Sequence, residues 1–152
     1  MNDRCRAGDV AVEMHADYFS NPLVRGATAF YIGSNPPRKA NTELILKGYF
    51  LRIPEMVSPG AKADTEVGVG SLGFCRRINI PSLLVEFGFL TNSDDLKILQ
   101  NRRRQLALGL ADGLEAWLKN TNLKPLPTPT PTPAPKPVTY PLMVVLHSND
   151  NV

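Results

Sequence analysis

The sequence predicts an α/β protein. Three observations lead there. Val10, Val12 and Met14 alternate with Ala11, Glu13 and His15, which is the signature of a strand with one apolar face. Leu83, Leu84 and Val85 form an unbroken aliphatic run after Pro81, as in a strand buried on both faces. Two longer segments, 38–52 and 92–119, carry apolar residues at helical spacing.

The chain has 152 residues, 43% hydrophobic and 20% charged, enough for one domain with a buried core. Its formal net charge is +3. A nucleic-acid partner is not expected, because such proteins cluster a stronger basic excess. Arg102, Arg103 and Arg104 are one short run, read as a solvated helix face. No membrane span is expected, since no apolar stretch reaches the required length. No signal peptide is expected, because the charged start at Asn2–Arg6 lacks an apolar region. The two cysteines, Cys5 and Cys75, could pair only if the fold brings them together. Neither has a second cysteine at metal-ligand spacing. Cys75, within Leu72-Gly73-Phe74-Cys75, reads as a small buried side chain.

In the first strand, 9–16, side chains two apart share a face, so Glu13 and His15 stand together. Asp17 to Val24, with Ser20-Asn21-Pro22, reads as a loop. Residues 27–32 form a second strand, broken by Gly33 to Pro37. Ala40, Leu44, Leu46, Phe50 and Leu51 mark a helix over 38–52, stopped by Pro54. Residues 55–70, rich in Gly, Pro, Ser and charge, read as a long surface loop, and 72–76 as a short strand. Glu86 ends the buried strand, where open α/β sheets place their ligand sites. Asn92 or Ser93 caps the last helix, with Asp94 and Asp95 in its first turn. Leu106, Leu110, Leu114 and Trp117-Leu118 are the stripe expected to pack on the sheet.

Pro125, Pro127, Pro129, Pro131, Pro133, Pro135 and Pro137 alternate with other residues. Such a run makes a polyproline-II spacer of about 3.1 Å per residue. The expected organisation is therefore a domain over 1–121, a Pro-rich linker over 122–137, and the start of a further segment over 138–152, with one strand from Leu142 to Leu146.

His15 by itself is a weak ligand signal, since a lone strand histidine is more often structural. Glu86 is stronger, because a carboxylate after three buried aliphatics needs a partner or a task. Pairing to Arg76 or Arg77 and a chemical role fit its position equally well.

Val12-Glu13-Met14-His15-Ala16-Asp17, then Arg25-Gly26-Ala27-Thr28-Ala29-Phe30-Tyr31, then Pro81 through Asn92 with Leu83-Leu84-Val85-Glu86-Phe87-Gly88, resemble the zinc-dependent N-acetylmuramoyl-L-alanine amidases. Phe74-Cys75-Arg76 and the closing helix from Arg104 to Leu118 fit the same pattern, so the resemblance covers about residues 3–120. It implies a twisted, mostly parallel sheet with helices on both faces. It implies one zinc held by two histidines and a glutamate, with His15 as a ligand and Glu86 as the catalytic carboxylate. Zinc-bound water would lose its proton to Glu86 and attack the amide between N-acetylmuramic acid and L-alanine of peptidoglycan. Arg25 and Arg76 are implied as substrate contacts. The implied localisation is the cell envelope, periplasm or cell wall.

The family's strand with Asp-Pro-Gly-His-Gly, and the helix after it with a ligand glutamate, have no counterpart in this sequence. The resemblance therefore implies a sheet lacking its opening strand or strands and a zinc site lacking two of three protein ligands. Glu13, on the strand face of His15, is the nearest surrogate, and His147 lies beyond the proline spacer. Two readings follow: a peptidoglycan amidase, inactive as this chain alone, or a degenerate, non-catalytic module that binds peptidoglycan.

Overall fold

The computed structural model describes residues 2–6, 8–68 and 70–120. The expected linker over 122–137 and the segment over 138–152 lie outside these residues. Four strands form one sheet: β1 (Ala11–Asp17), β2 (Thr28–Tyr31), β3 (Gly60–Ala63) and β4 (Ser82–Phe89), in the order β1-β4-β2-β3. β1 runs parallel to β4 and β3 parallel to β2, while β2 and β4 are antiparallel. The mostly parallel α/β arrangement expected from the sequence is thus present.

The helices are α1 (Pro36–Arg52), α2 (Gly73–Arg77), α3 (Ser93–Asn101) and α4 (Arg103–Asn120). α1 begins two residues before the expected start. Pro36 and Pro37 fit there because the first-turn N–H groups have no helical partner to lose. α1, α3 and α4 cover one face of the sheet. Leu83 and Val85 of β4 meet Ala29, Ile45, Leu46 and Trp117 there, and Ile98 joins Tyr49, Ile53 and Met56 alongside. α2 lies on the opposite face, where Ser82 Oγ approaches the Phe74 and Cys75 carbonyls at 3.4 Å. Leu83, Leu84 and Val85 are all buried, so the unbroken aliphatic run is a strand covered on both sides.

Three expectations are corrected. The segment 55–70 is not all loop, since Gly60–Ala63 pairs with β2. Its Gly-Ala-Lys-Ala sequence has little strand propensity, and the pairing is a tertiary effect. Residues 72–76 are not a strand but lead into the short helix α2. Its Phe-Cys pair is too short for periodicity to distinguish the two. The last helical segment is broken at Arg102, which leaves helical geometry at φ −114° and ψ 24°. Its guanidinium reaches Glu55 at 2.6 Å and the Arg52 carbonyl at 3.3 Å, closing the end of α1. Arg102 is therefore an anchor, whereas Arg103 and Arg104 are exposed as expected.

Asn92 is the cap of α3: its side-chain oxygen accepts from the Asp94 and Asp95 N–H groups at 3.1 Å. Asp95, fully buried, then ties three segments together. It accepts from Gly26 N at 2.7 Å, Phe89 N at 3.1 Å and Arg25 Nε at 3.2 Å. Asp95→Asn keeps the shape but turns one acceptor into a donor facing an N–H group. Urea unfolding is expected to show a loss of about 2 kcal/mol. A loss below a few tenths would mean that the carboxylate does not hold these segments.

Cys75 is a free thiol. Cys75 is buried as expected, and burial, with Asp64 adding to it, pushes its thiol up to about 11.

Candidate active site

The candidate site sits at the carboxyl ends of β1 and β4. Parallel pairing puts His15 directly beside Glu86. Strand alternation puts Glu13 on the same face, as the sequence required. The pairing then slips: His15 faces Glu86, but Asp17 faces Phe89. β4 thus carries one residue more than β1 over this stretch, a bulge of the kind that re-aims side chains beside functional sites. Gly88 allows it. Its φ is 142°, and a Cβ there would come within 3.2 Å of Asp95 Cβ and of the Met56 methyl.

His15 lies between two carboxylates. Its Nε2 is 3.4 Å from Glu13 Oε1, and its Nδ1 is 3.8 Å from Glu86 Oε1. The imidazole is about half exposed, while the Glu86 side chain is only 14% exposed. Glu86 Oε2 is buried with no hydrogen-bond partner. Neither Arg76 nor Arg77 relieves it, so the structural pairing considered from sequence is not formed. Arg76 instead grips the buried Asp64 with both Nε and Nη2. The consequence is a carboxyl that resists ionisation. Burial pushes Glu86 up to about 7; Asp17 adds to the rise, His15 opposes it, and Glu13 adds slightly. A carboxyl poised near neutrality can both take and return a proton.

Arg25 is brought to the same end of the sheet, but its guanidinium is held by Asp95 and Asp94, each at 3.2 Å. Arg25 and Arg76 are thus both engaged with carboxylates. Sequence reasoning missed three acidic partners. Asp17 acts on Glu86 through space, and Asp95 and Asp64 fix the two arginines. Asp17 could have been found, since it lies two residues beyond His15. The other two partners depend on contacts between distant segments.

A metal ion needs donors that converge on one point. Here the donors diverge: Glu13 and Glu86 approach opposite nitrogens of one imidazole ring. Among the described residues no group of three His, Cys, Asp or Glu side chains could hold an ion. Glu13 stands beside His15, yet the set does not fit a zinc ion.

The fold and site define an α/β protein with a largely buried carboxyl beside an imidazole, at the ends of two parallel strands. A family profile described as N-acetylmuramoyl-L-alanine amidase matches residues 3–116. The chain belongs to that family. Among solved structures it is similar to the N-acetylmuramoyl-L-alanine amidase AmiC2 of Nostoc punctiforme, at 25% identity and a TM-score of 0.61, covering 72% of this chain and 58% of that one. The catalytic domain of CwlV, an N-acetylmuramoyl-L-alanine amidase from Bacillus (Paenibacillus) polymyxa var. colistinus, is similar at 25% identity and a TM-score of 0.60, covering 72% and 57%. An N-acetylmuramoyl-L-alanine amidase from Clostridium difficile 630 shares the fold, at 22% identity and a TM-score of 0.62, over 75% and 60%. The chain thus spans less than two thirds of the length of these proteins. No match was found among curated proteins.

Proposed function

We propose that this chain acts on peptidoglycan, at the amide between the lactyl group of N-acetylmuramic acid and L-alanine. The observation that carries this reading is Glu86: a largely buried carboxyl beside His15, one of its oxygens without a hydrogen-bond partner, pushed up to about 7, in a chain of the amidase family. Amide hydrolysis needs a proton taken from the attacking water and a proton given to the leaving amine. One carboxyl with that pKa does both in turn. Glu86 is the proposed catalytic residue. Arg25 and Arg76, already bound to carboxylates, would serve the substrate mainly by holding the 18–26 loop and α2 in place. The substrate places the proposed action in the cell envelope. None of the described helices is long and apolar enough to cross a membrane.

The metal is the point at which the described residues and the family pattern part. His15 is the single imidazole among the described residues. A zinc ion would need donors other than Glu13 and Glu86 as they stand. Elemental analysis of the purified chain is therefore expected to give well under one zinc per molecule. Near-stoichiometric zinc, lost in His15→Ala, would show that residues outside the described set complete a site.

The same divergence of donors favours a second reading, a peptidoglycan-binding module without catalysis. One experiment separates the two. The chain is incubated with purified peptidoglycan, and new L-alanine amino termini are counted by mass spectrometry, with sedimentation of the chain as a second readout. New termini establish the amidase. Sedimentation without new termini establishes the binding module. Neither outcome would leave peptidoglycan without support as the target.

A further inference from the structure

β1 is the outer strand of the sheet, and no described strand pairs with its far side. Its main-chain groups alternate in direction. Ala11 N donates to the Pro81 carbonyl, and the Asp17 carbonyl accepts from Leu90 N, each at 2.8 Å. Ala11, Glu13, His15 and Asp17 therefore turn their N–H and C=O groups to β4, and Val12, Met14 and Ala16 turn theirs outward. Such a row is a template for another strand. The opposite edge of the sheet is protected, because β3 has only four residues and carries Lys62. β1 has seven residues, with neither lysine nor proline among them.

The side chains point the same way. Met14 shares a strand face with Val10 and Val12, which pack on the main core, yet Met14 is 62% exposed. Beside it lies an apolar groove of about 310 Å³, lined by Phe87, Leu99, Leu106 and Leu110. Glu13 and His15 stand partly open on the other face of the strand.

We propose that β1 pairs antiparallel with β1 of a second copy of this chain, in a dimer with two-fold symmetry. Charge and length select one register. Outward-facing residues must oppose outward-facing residues, so the axis falls on a residue and not between two. An axis on Glu13 sets the two Glu13 carboxylates against each other. An axis on His15 sets Glu13 against the partner's Asp17. An axis on Met14 sets Glu13 against the partner's His15, twice, at the close spacing of about 4.5 Å between Cα atoms. It also opposes Val12 to the partner's Ala16, and it engages the whole of β1, Ala11–Asp17. Met14 and the partner's Met14 then exchange main-chain hydrogen bonds, and their flexible side chains lie together beside the two apolar grooves. The partner's Glu13 stands at the imidazole of the candidate site, so each copy adds a carboxylate to the other's site. The pairing does not depend on whether the chain cleaves its target or only binds it.

The test is sedimentation velocity of the full 152-residue chain up to about 1 mM, since one pair of strands is a small interface that associates weakly. A dimer is expected within that range. Met14→Pro should weaken it more than about tenfold. The Met14 N–H faces outward, so proline there costs the β1–β4 ladder no hydrogen bond, whereas it removes both central bonds of the dimer. Glu13→Lys should weaken the dimer about tenfold, by setting a cation against each imidazole. Leu23→Ala trims a side chain that is 82% exposed outside β1 and should change nothing. Register is read by oxidation in a Cys5→Ser background. Met14→Cys should cross-link two copies, whereas Glu13→Cys and His15→Cys, each two residues out of step with its own counterpart, should not. The cross-linking pattern also decides the matter if Met14→Pro fails to fold. The proposal is overturned if the chain stays monomeric to about 1 mM, if a folded Met14→Pro dimerises as the parent does, if Leu23→Ala dissolves the dimer, or if Met14→Cys does not cross-link. It is overturned as well if the Val12, Met14 and Ala16 N–H groups exchange slowly at every concentration. The edge would then be covered within one chain, with Leu142 to Leu146 as the strand to examine.

Discussion

On the proposed amidase reading, Glu86→Gln is expected to lower amide hydrolysis by about a thousandfold, the usual range for losing an acid–base group, and on either reading to make the chain more stable at pH 8. The two effects share one cause. The folded chain raises the Glu86 carboxyl from an ordinary 4.5 to about 7 because it is buried, with Asp17 nearby. Below pH 4.5 the group is protonated in both folded and unfolded chains, and it takes nothing from stability. Between 4.5 and 7 the unfolded chain releases the proton and the folded chain keeps it, so stability falls as pH rises. Above 7 the carboxylate is ionised in both states and the full penalty is present, on the order of 3 kcal/mol. Glutamine has the same shape and never ionises. Urea unfolding should therefore show Glu86→Gln gaining up to about 3 kcal/mol over the parent at pH 8 and nothing at pH 4. Equal stability at both pH values would mean that Glu86 is not held against its charge, and its proton-transfer role would lose its basis.

His15 and Glu86 were legible in the sequence because their signals are local. Alternation puts Glu13 and His15 on one strand face, and an aliphatic run ending in a carboxylate marks a strand end. Their juxtaposition is not local, since it depends on β1 pairing parallel to β4 in one register. The resemblance to the amidases supplied what the local pattern lacked. The divergence of Glu13 and Glu86 around the imidazole could not be read in advance, because it depends on side-chain direction. β3 was hidden because Gly60–Ala63 has the composition of a loop and becomes a strand only beside β2. The break at Arg102 was hidden because the Arg102–Glu55 contact joins two helices far apart in sequence. The leucine stripe of α4 was visible, and Leu110 and Leu114 do pack on the core that includes Leu83 and Val85. The stripe accounts for only part of the packing, because α4 also crosses α1 along glycines that a hydrophobic pattern passes over.

That crossing carries the second large effect. Gly48 of α1 meets Gly109 and Gly113 of α4 with backbone against backbone. A Cβ on Gly48 would lie 2.5 Å from Gly109 O, 2.5 Å from Gly113 N and 2.9 Å from Gly113 Cα. Real Cβ atoms do not approach so closely, and every atom named is main chain, so no side chain can rotate away. The helices would have to separate, and Trp117, Ile45 and Leu46, buried close by, would lose contacts in the main core. Alanine in a helix interior is favoured over glycine by roughly 1 kcal/mol, which opposes the effect. Overpacking typically costs about 1–3 kcal/mol, and more where backbone must move. The clash prevails, and Gly48→Ala is expected to destabilise the chain by about 3 kcal/mol in urea unfolding. Gly73→Ala in α2 is the control. A Cβ there meets nothing nearer than the flexible Arg77 side chain at 3.9 Å, so stability should hold or rise slightly. If both variants were as stable as the parent, α1 and α4 could not be in backbone contact. The sheet face beneath them would then be covered by some other packing than the one that sets β4, and with it Glu86, in place.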